Sequence, residues 1–181
     1  MLFSEFLFLP FFTVVFAVHW LLRGNVARKR WLLVASYVFY GAWDPRFLLL
    51  IFASTLVDYV AGARIAASDD RGVRRRWLVA SLGANLGILG FFKYWNFFAV
   101  SAGAVLGALG LDVAPRTLHI VLPVGISFFT FQSMSYTIDI HRRRIGPERS
   151  FADFALFVSF FPQLVAGPIV RASELLPQLA V

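Results

Sequence analysis

From residue 6 to residue 170 the chain alternates long apolar runs with short clusters of arginine and lysine, and this alternation limits what it can fold into. About 20 apolar residues wound as a helix span the roughly 30 Å hydrocarbon core of a bilayer. A soluble domain must cover its surface with polar groups, and an average one is about 25% charged. Here 15% of 181 residues are charged, 59% are apolar and 21 are phenylalanine. Such a composition calls for lipid as solvent.

The runs read in order as helices. Phe6 to Leu22 makes the first, and its positive charges follow it at Arg23, Arg28, Lys29 and Arg30. A cleaved signal peptide carries them ahead, so an uncleaved first helix is expected. Trp31 to Trp43 is short for a crossing and must borrow flanking residues or thin the bilayer. Asp44-Pro45 forces a turn, because proline restricts its predecessor and cannot continue a helix. Further spans run from Phe47 to about Ala67, from Trp77 to Phe92, and from about Ile120 to Ile138. Residues 94–111 read as a helical extension or interfacial hairpin rather than a full crossing, and Asp112 to Thr117 as a loop. Phe154 to Val170 is interrupted by Pro162 and Gly167-Pro168, the pattern of a broken or re-entrant segment. The expected fold class is all-α: a polytopic transmembrane bundle of about five spans plus that broken segment, one membrane domain over residues 1–181.

Charge placement sets an expected orientation. Loops 23–30, 64–76 and 141–149 hold four, five and four basic residues, 13 of the 17. The positive-inside rule puts these loops in the cytoplasm and the N-terminus outside it. That topology accounts for the net charge of +7 better than nucleic-acid binding does, since the basic residues sit between apolar runs. Cysteine is absent, which excludes disulfides and thiolate metal sites. His19, His119 and His141 show no metal-ligand spacing, and no metal is assigned.

Polar residues inside the runs are candidates for function. Asp58, Asn85 and Gln132 lie at membrane depth, where an ionisable or amide group is costly unless paired. Asp58 either serves a site or pairs with Arg64 or a neighbouring helix. Gly83-x-x-x-Gly87 and Gly103-x-x-x-Gly107 are small-residue patterns that let helices approach closely. Ser127, Thr130, Gln132, Ser133, Ser135 and Thr137 crowd the stretch Leu122 to Ile140, so one face of it turns inward. The strongest signal is Phe160 to Arg171, because interrupted segments at membrane depth tend to line sites.

The run LPVGISFFTFQSMSYTIDIHRRR through SFADFALFVSFFPQLVAGPIVRASELLPQL resembles the alginate O-acetylation branch of the membrane-bound O-acyltransferase family. MLFSEFLFLPFF, SYVFYGAWDPRFLLLI, FASTLVDYVAG and LGILGFFKYWNFF agree in order, so the resemblance covers essentially the whole chain. It implies an N-terminal part of that fold, in a bacterial inner membrane. The implied activity moves an acyl group, usually acetyl, from a thioester donor such as acetyl-CoA toward an extracytoplasmic polysaccharide such as alginate, with partner proteins for O-acetylation. Pro162, Gln163, Gly167, Pro168 and Arg171 are then expected near a central substrate funnel.

Family proteins are far longer, and their catalytic histidine lies downstream of the FFPQLVAGPI-like segment. The chain ends at Val181, about ten residues past it, and none of its histidines has that context. His141 stands where relatives more usually have tyrosine. No catalytic residue is carried over, and the chain alone, without the C-terminal half, is expected to be inactive. The alternative is a non-catalytic membrane subunit or scaffold of a polysaccharide-modification complex.

Overall fold

The computed structural model describes residues 6–110, 117–164, 167 and 170–179; among these it is entirely helical, with no strand. Helix α1 is Phe8–Leu21, α2 Asn25–Gly41, α3 Arg46–Ala66 and α4 Arg71–Leu89. A π-helical turn, Gly90–Tyr94, joins α4 to α5, Trp95–Ala108. Then follow α6 Ile126–His141, α7 Phe151–Ser159, the single turn α8 Phe161–Leu164, and α9 Ala172–Leu179.

Local chemistry explains the boundaries. Asp70 caps α4 by accepting from the Gly72 N–H at 2.7 Å, and Ser150 caps α7 by accepting from Asp153 N at 3.2 Å. The expected turn at Asp44-Pro45 is present, and Asp44 accepts from both the backbone N and the Nε of Arg46. The short second run does borrow flanking residues: α2 starts at Asn25 and reaches 17 residues, or about 26 Å.

The fifth run is corrected at both ends. Helix α6 starts at Ile126 rather than near Ile120 and continues to His141, because Pro123 and a left-handed Gly125 (φ 73°) precede it. Residues 94–111 are the helical extension through residue 108. Leu111 and the expected loop from Asp112 lie outside the described residues as far as Arg116. Among the described residues two helical stretches are long and apolar enough to cross a membrane, Arg46–Ala66 and Arg71–Ala108, the second including the π turn.

Helices α3, α4 and α6 form the centre of the bundle. The start of α3 meets the end of α4, and Arg74 near the start of α4 bonds to Ile65 O and Ile140 O. Helices α3 and α6 therefore run one way and α4 the other. Tyr136, Phe129, Ile51, Ile65, Phe154 and Phe157 fill the core between this trio and α7. Gly62 is required there, since a Cβ would lie 2.7 Å from the Tyr136 ring. Helix α2 packs on α7, with Lys29 paired to Asp153 at 2.6 Å.

Beside this apolar core the bundle buries a set of polar side chains, while many large apolar ones lie on its surface. Ser54, Thr55, Asp58, Ser81, Asn85, Thr130, Ser133 and Thr137 are all at most 1% exposed, whereas Phe97 and Phe98 are 63% exposed and Leu9 65%. Helix α5 buries none of its residues. The glycine patterns do not pack as expected: nothing approaches within 4 Å of a Cβ built on Gly83, Gly87 or Gly107. Gly83 lies two residues from both Ser81 and Asn85, which places it on the face of α4 turned away from its partners.

Candidate functional site

Three regions hold the residues singled out in the sequence. The first is a polar seam across the middle of α3, α4 and α6. The Asp58 carboxylate accepts from Ser81 Oγ at 2.5 Å and from Asn85 Nδ2 at 2.9 Å to each oxygen. Asn85 Nδ2 also donates to Ser81 O at 3.0 Å, and its Oδ1 accepts from Ser54 at 2.8 Å and Ser133 at 3.5 Å. A carboxylate can only accept, so it fixes which way the Asn85 amide points. Ser81 Oγ also lies 3.1 Å from Thr137 Oγ1, whose own hydroxyl donates to Met134 O at 3.1 Å.

No lysine, arginine or histidine among the described residues pairs with Asp58. Arg64 lies instead over the Trp77 ring, 5.8 Å from its centroid. The carboxylate, on α3, is held by hydroxyl and amide donors from α4, and every member of the seam is closed off from the surface. Such an arrangement locks helices together; it presents no open nucleophile. Gln132 does not join it. Its Nε2 donates to Phe157 O at 2.8 Å and ties α6 to α7.

Ser54 and Ser81 were not singled out in the sequence, although a signal existed. Each lies four residues before Asp58 or Asn85 on the same helix, and therefore on the same face.

The second region is the broken segment. Helix α7 ends at Ser159, and Phe160 turns the chain so that Phe161 N donates to Ser36 Oγ on α2 at 3.3 Å. Leu164 then lies against Gly125, where a Cβ would clash with the Leu164 carbonyl oxygen. Gly125 is required both for its positive φ and for this approach. Gly167 N donates to Gln163 O at 3.1 Å, which brings these two residues together. Gln163 Oε1 is buried without a partner among the described residues. Pro162 is half-buried. Arg171 has an exposed side chain, and its carbonyl accepts from Glu174 and Leu175 at the start of α9. Pro168 lies outside the described residues, as do Val165, Ala166 and Ile169.

The third region comprises two cavities at opposite ends of the central trio. A largely apolar one of about 550 Å³ lies between the start of α3, the π turn and residues 119–121. A basic one of about 640 Å³ lies where α4 begins and α6 ends, lined by Asp69, Arg71, Arg74, Arg75, His141, Arg142 and Arg143. The basic loops 23–30, 64–76 and 141–149 gather at this end, as the Lys29–Asp153 and Arg143–Asp69 pairs show. No group of three or more His, Asp or Glu side chains able to hold a metal occurs among the described residues.

Comparison with known proteins adds the family. The protein of Pseudomonas putida named "Probable alginate O-acetylase AlgI" is 42% identical over 182 residues, covering 98% of this chain and 37% of that protein. Its namesake in Pseudomonas aeruginosa is 42% identical over 179 residues, 98% of this chain and 34% of that protein. The chain is a homologue of these proteins, consistent with an N-terminal portion of a membrane-bound O-acyltransferase. A peptidoglycan O-acetyltransferase of Helicobacter pylori is 35% identical over 198 residues, covering 96% of this chain and 37% of that protein. The chain thus spans about a third of the length of these curated relatives. No protein-family model matches it, and no solved structure matches it significantly. On this O-acyltransferase segment the seam, the broken segment and both cavities fall inside the matched stretch.

Proposed function

We propose that this chain is part of a membrane-embedded enzyme that transfers acetyl groups to the hydroxyls of an extracytoplasmic polysaccharide. The observation that carries this reading is the match along 98% of the chain to alginate O-acetylases, joined by a peptidoglycan O-acetyltransferase. Two different polysaccharides in those names share one chemistry, O-acetylation of a sugar hydroxyl. The exposed apolar side chains and the two helical stretches of membrane length support membrane embedding, and about five spans with the broken segment make up the proposed topology. The gathering of basic loops at one end supports a cytoplasmic end there and an N-terminus on the outer side of the inner membrane.

In the reaction a base takes the proton of the acceptor hydroxyl as its oxygen attacks the carbonyl of a thioester such as acetyl-CoA. The C–O bond forms, the C–S bond breaks and the thiol departs. A positioned base contributes on the order of 10²–10⁴ in rate. His19, His119 and His141 take no part in the buried polar seam, so the base is assigned to the remainder of the family fold. That remainder and polysaccharide O-acetylation proteins are the proposed partners.

Acetyl transfer to polysaccharide by membranes carrying the chain, with and without the remainder of a relative supplied in trans, tests this. Transfer is expected only when both parts are present. Transfer by the chain alone at the rate of an intact relative refutes the assignment of the base.

A further inference from the structure

The basic cavity carries more than a topology signal. Five arginines and His141 line it against one carboxylate, Asp69. Asp69 is bound to Arg143 at 2.9 Å. Arg74 is spent on backbone: its guanidinium donates to Ile65 O, Ser68 O, Ile140 O and His141 O at 2.7–3.3 Å. The side chains of Arg71, Arg75 and Arg142 make no hydrogen bond or ion pair among the described residues and are exposed.

Arg71 and Arg75 lie in the first turns of α4, where the helix dipole disfavours cations, and the one carboxylate at that end, the N-cap Asp70, is taken up by the Gly72 N–H. A positive-inside anchor needs charge near the membrane surface, but it does not need charge converging on one cavity from two helix ends.

We propose that this cavity binds a phosphate-bearing ligand at the membrane–water boundary. Several guanidinium groups offer paired N–H donors that match the oxygens of a phosphate. The volume of about 640 Å³ holds a diphosphate or a phospholipid headgroup. Basic pockets between helices on the cytoplasmic side of membranes are suited to anionic headgroups. Arg71, Arg75 and Arg142 hold the ligand, and Arg74 positions the walls by joining the ends of α3 and α6.

The test measures binding alone, on the full chain in detergent and in nanodiscs. Inorganic pyrophosphate is titrated calorimetrically, and the ratio of phosphatidylglycerol to phosphatidylcholine retained by the protein is measured after exchange. Saturable pyrophosphate binding or phosphatidylglycerol enrichment is expected, and whichever occurs identifies the source as soluble phosphate or lipid headgroup. The triple variant Arg71→Ala/Arg75→Ala/Arg142→Ala is expected to lose at least about tenfold. The control Arg23→Ala/Arg30→Ala/Arg149→Ala removes equal charge from positions that do not line the cavity and is expected to change binding less than about twofold, because exposed charge is screened by salt. Should the triple variant not fold, Arg75→Ala and Arg142→Ala singly carry the same comparison at severalfold each. Absence of both kinds of binding overturns the proposal, as does equal weakening in the control.

Discussion

Asp58 shows what a single residue does in this setting. It is fully buried and accepts bonds from Ser81 and Asn85 with no cation beside it. Removing the carboxylate leaves the Ser81 hydroxyl and the Asn85 amide without their acceptor, at about 1–3 kcal/mol for each group left unpaired. Asp58→Asn keeps one acceptor oxygen and the shape. Asp58→Ala is therefore expected to lower stability by about 2–4 kcal/mol and Asp58→Asn by clearly less, read from thermal unfolding in detergent. Equal loss in both variants means the seam does not depend on the acceptor. The sequence showed that Asp58 needed a partner and left Arg64 and a neighbouring helix as the alternatives; the donors come from the neighbouring α4. Distance along a helix does not decide pairing when another helix brings donors to the same face.

At the level of elements, Arg74 joins two helix ends. The last carbonyls of a helix lack intrahelical donors, and a cation there also answers the dipole. Arg74 serves Ile65 and Ser68 at the end of α3 and Ile140 and His141 at the end of α6. Charge-assisted bonds of this kind contribute about 1.5–3 kcal/mol each, so Arg74→Ala is expected to cost about 3 kcal/mol or more. Hydrogen exchange checks it: amides of residues 66–70 and 141–144 should exchange much faster in the variant, while those in the middle of α2 should not. In the sequence Arg74 counted only as one of five charges in a basic loop. The pattern of five cannot separate a buried guanidinium from four exposed ones, because the same residue type satisfies both roles.

Helix existence was largely legible, since apolar runs of membrane length are long and strongly marked. Boundaries were less so. The start of α6 moved six residues because Pro123 and Gly125 end the extended approach, and the need for glycine there comes from Leu164 some forty positions away. The glycine patterns on α4 and α5 signalled close packing, yet the face of α4 used for packing is the polar one.

For the molecule as a whole, the exposed aromatic and aliphatic side chains of α1 and α5 point to lipid around the bundle. The absence of cysteine gives a clean background for single-cysteine labelling. A nitroxide on Val105→Cys or Phe98→Cys is expected to meet oxygen dissolved in lipid. Ser68→Cys and Gly146→Cys should react with an impermeant maleimide only after the inner membrane is opened, and Pro45→Cys before it. Labelling of residues 68 and 146 from outside would reverse the orientation. Water-like accessibility at residues 98 and 105 would remove α5 from lipid.

Composition and the alternation of apolar runs with basic clusters determined the helical class and the end at which charge gathers, and pointed to lipid as the solvent, because burying uncompensated polar backbone in lipid leaves a chain few options. The tertiary structure alone decided that Asp58 bonds to Ser81 and Asn85, that Arg74 fastens two helix ends, and that Arg71, Arg75 and Arg142 face one cavity. Those pairings depend on which faces of separate helices meet, and periodicity along one helix reports a face without naming its neighbour.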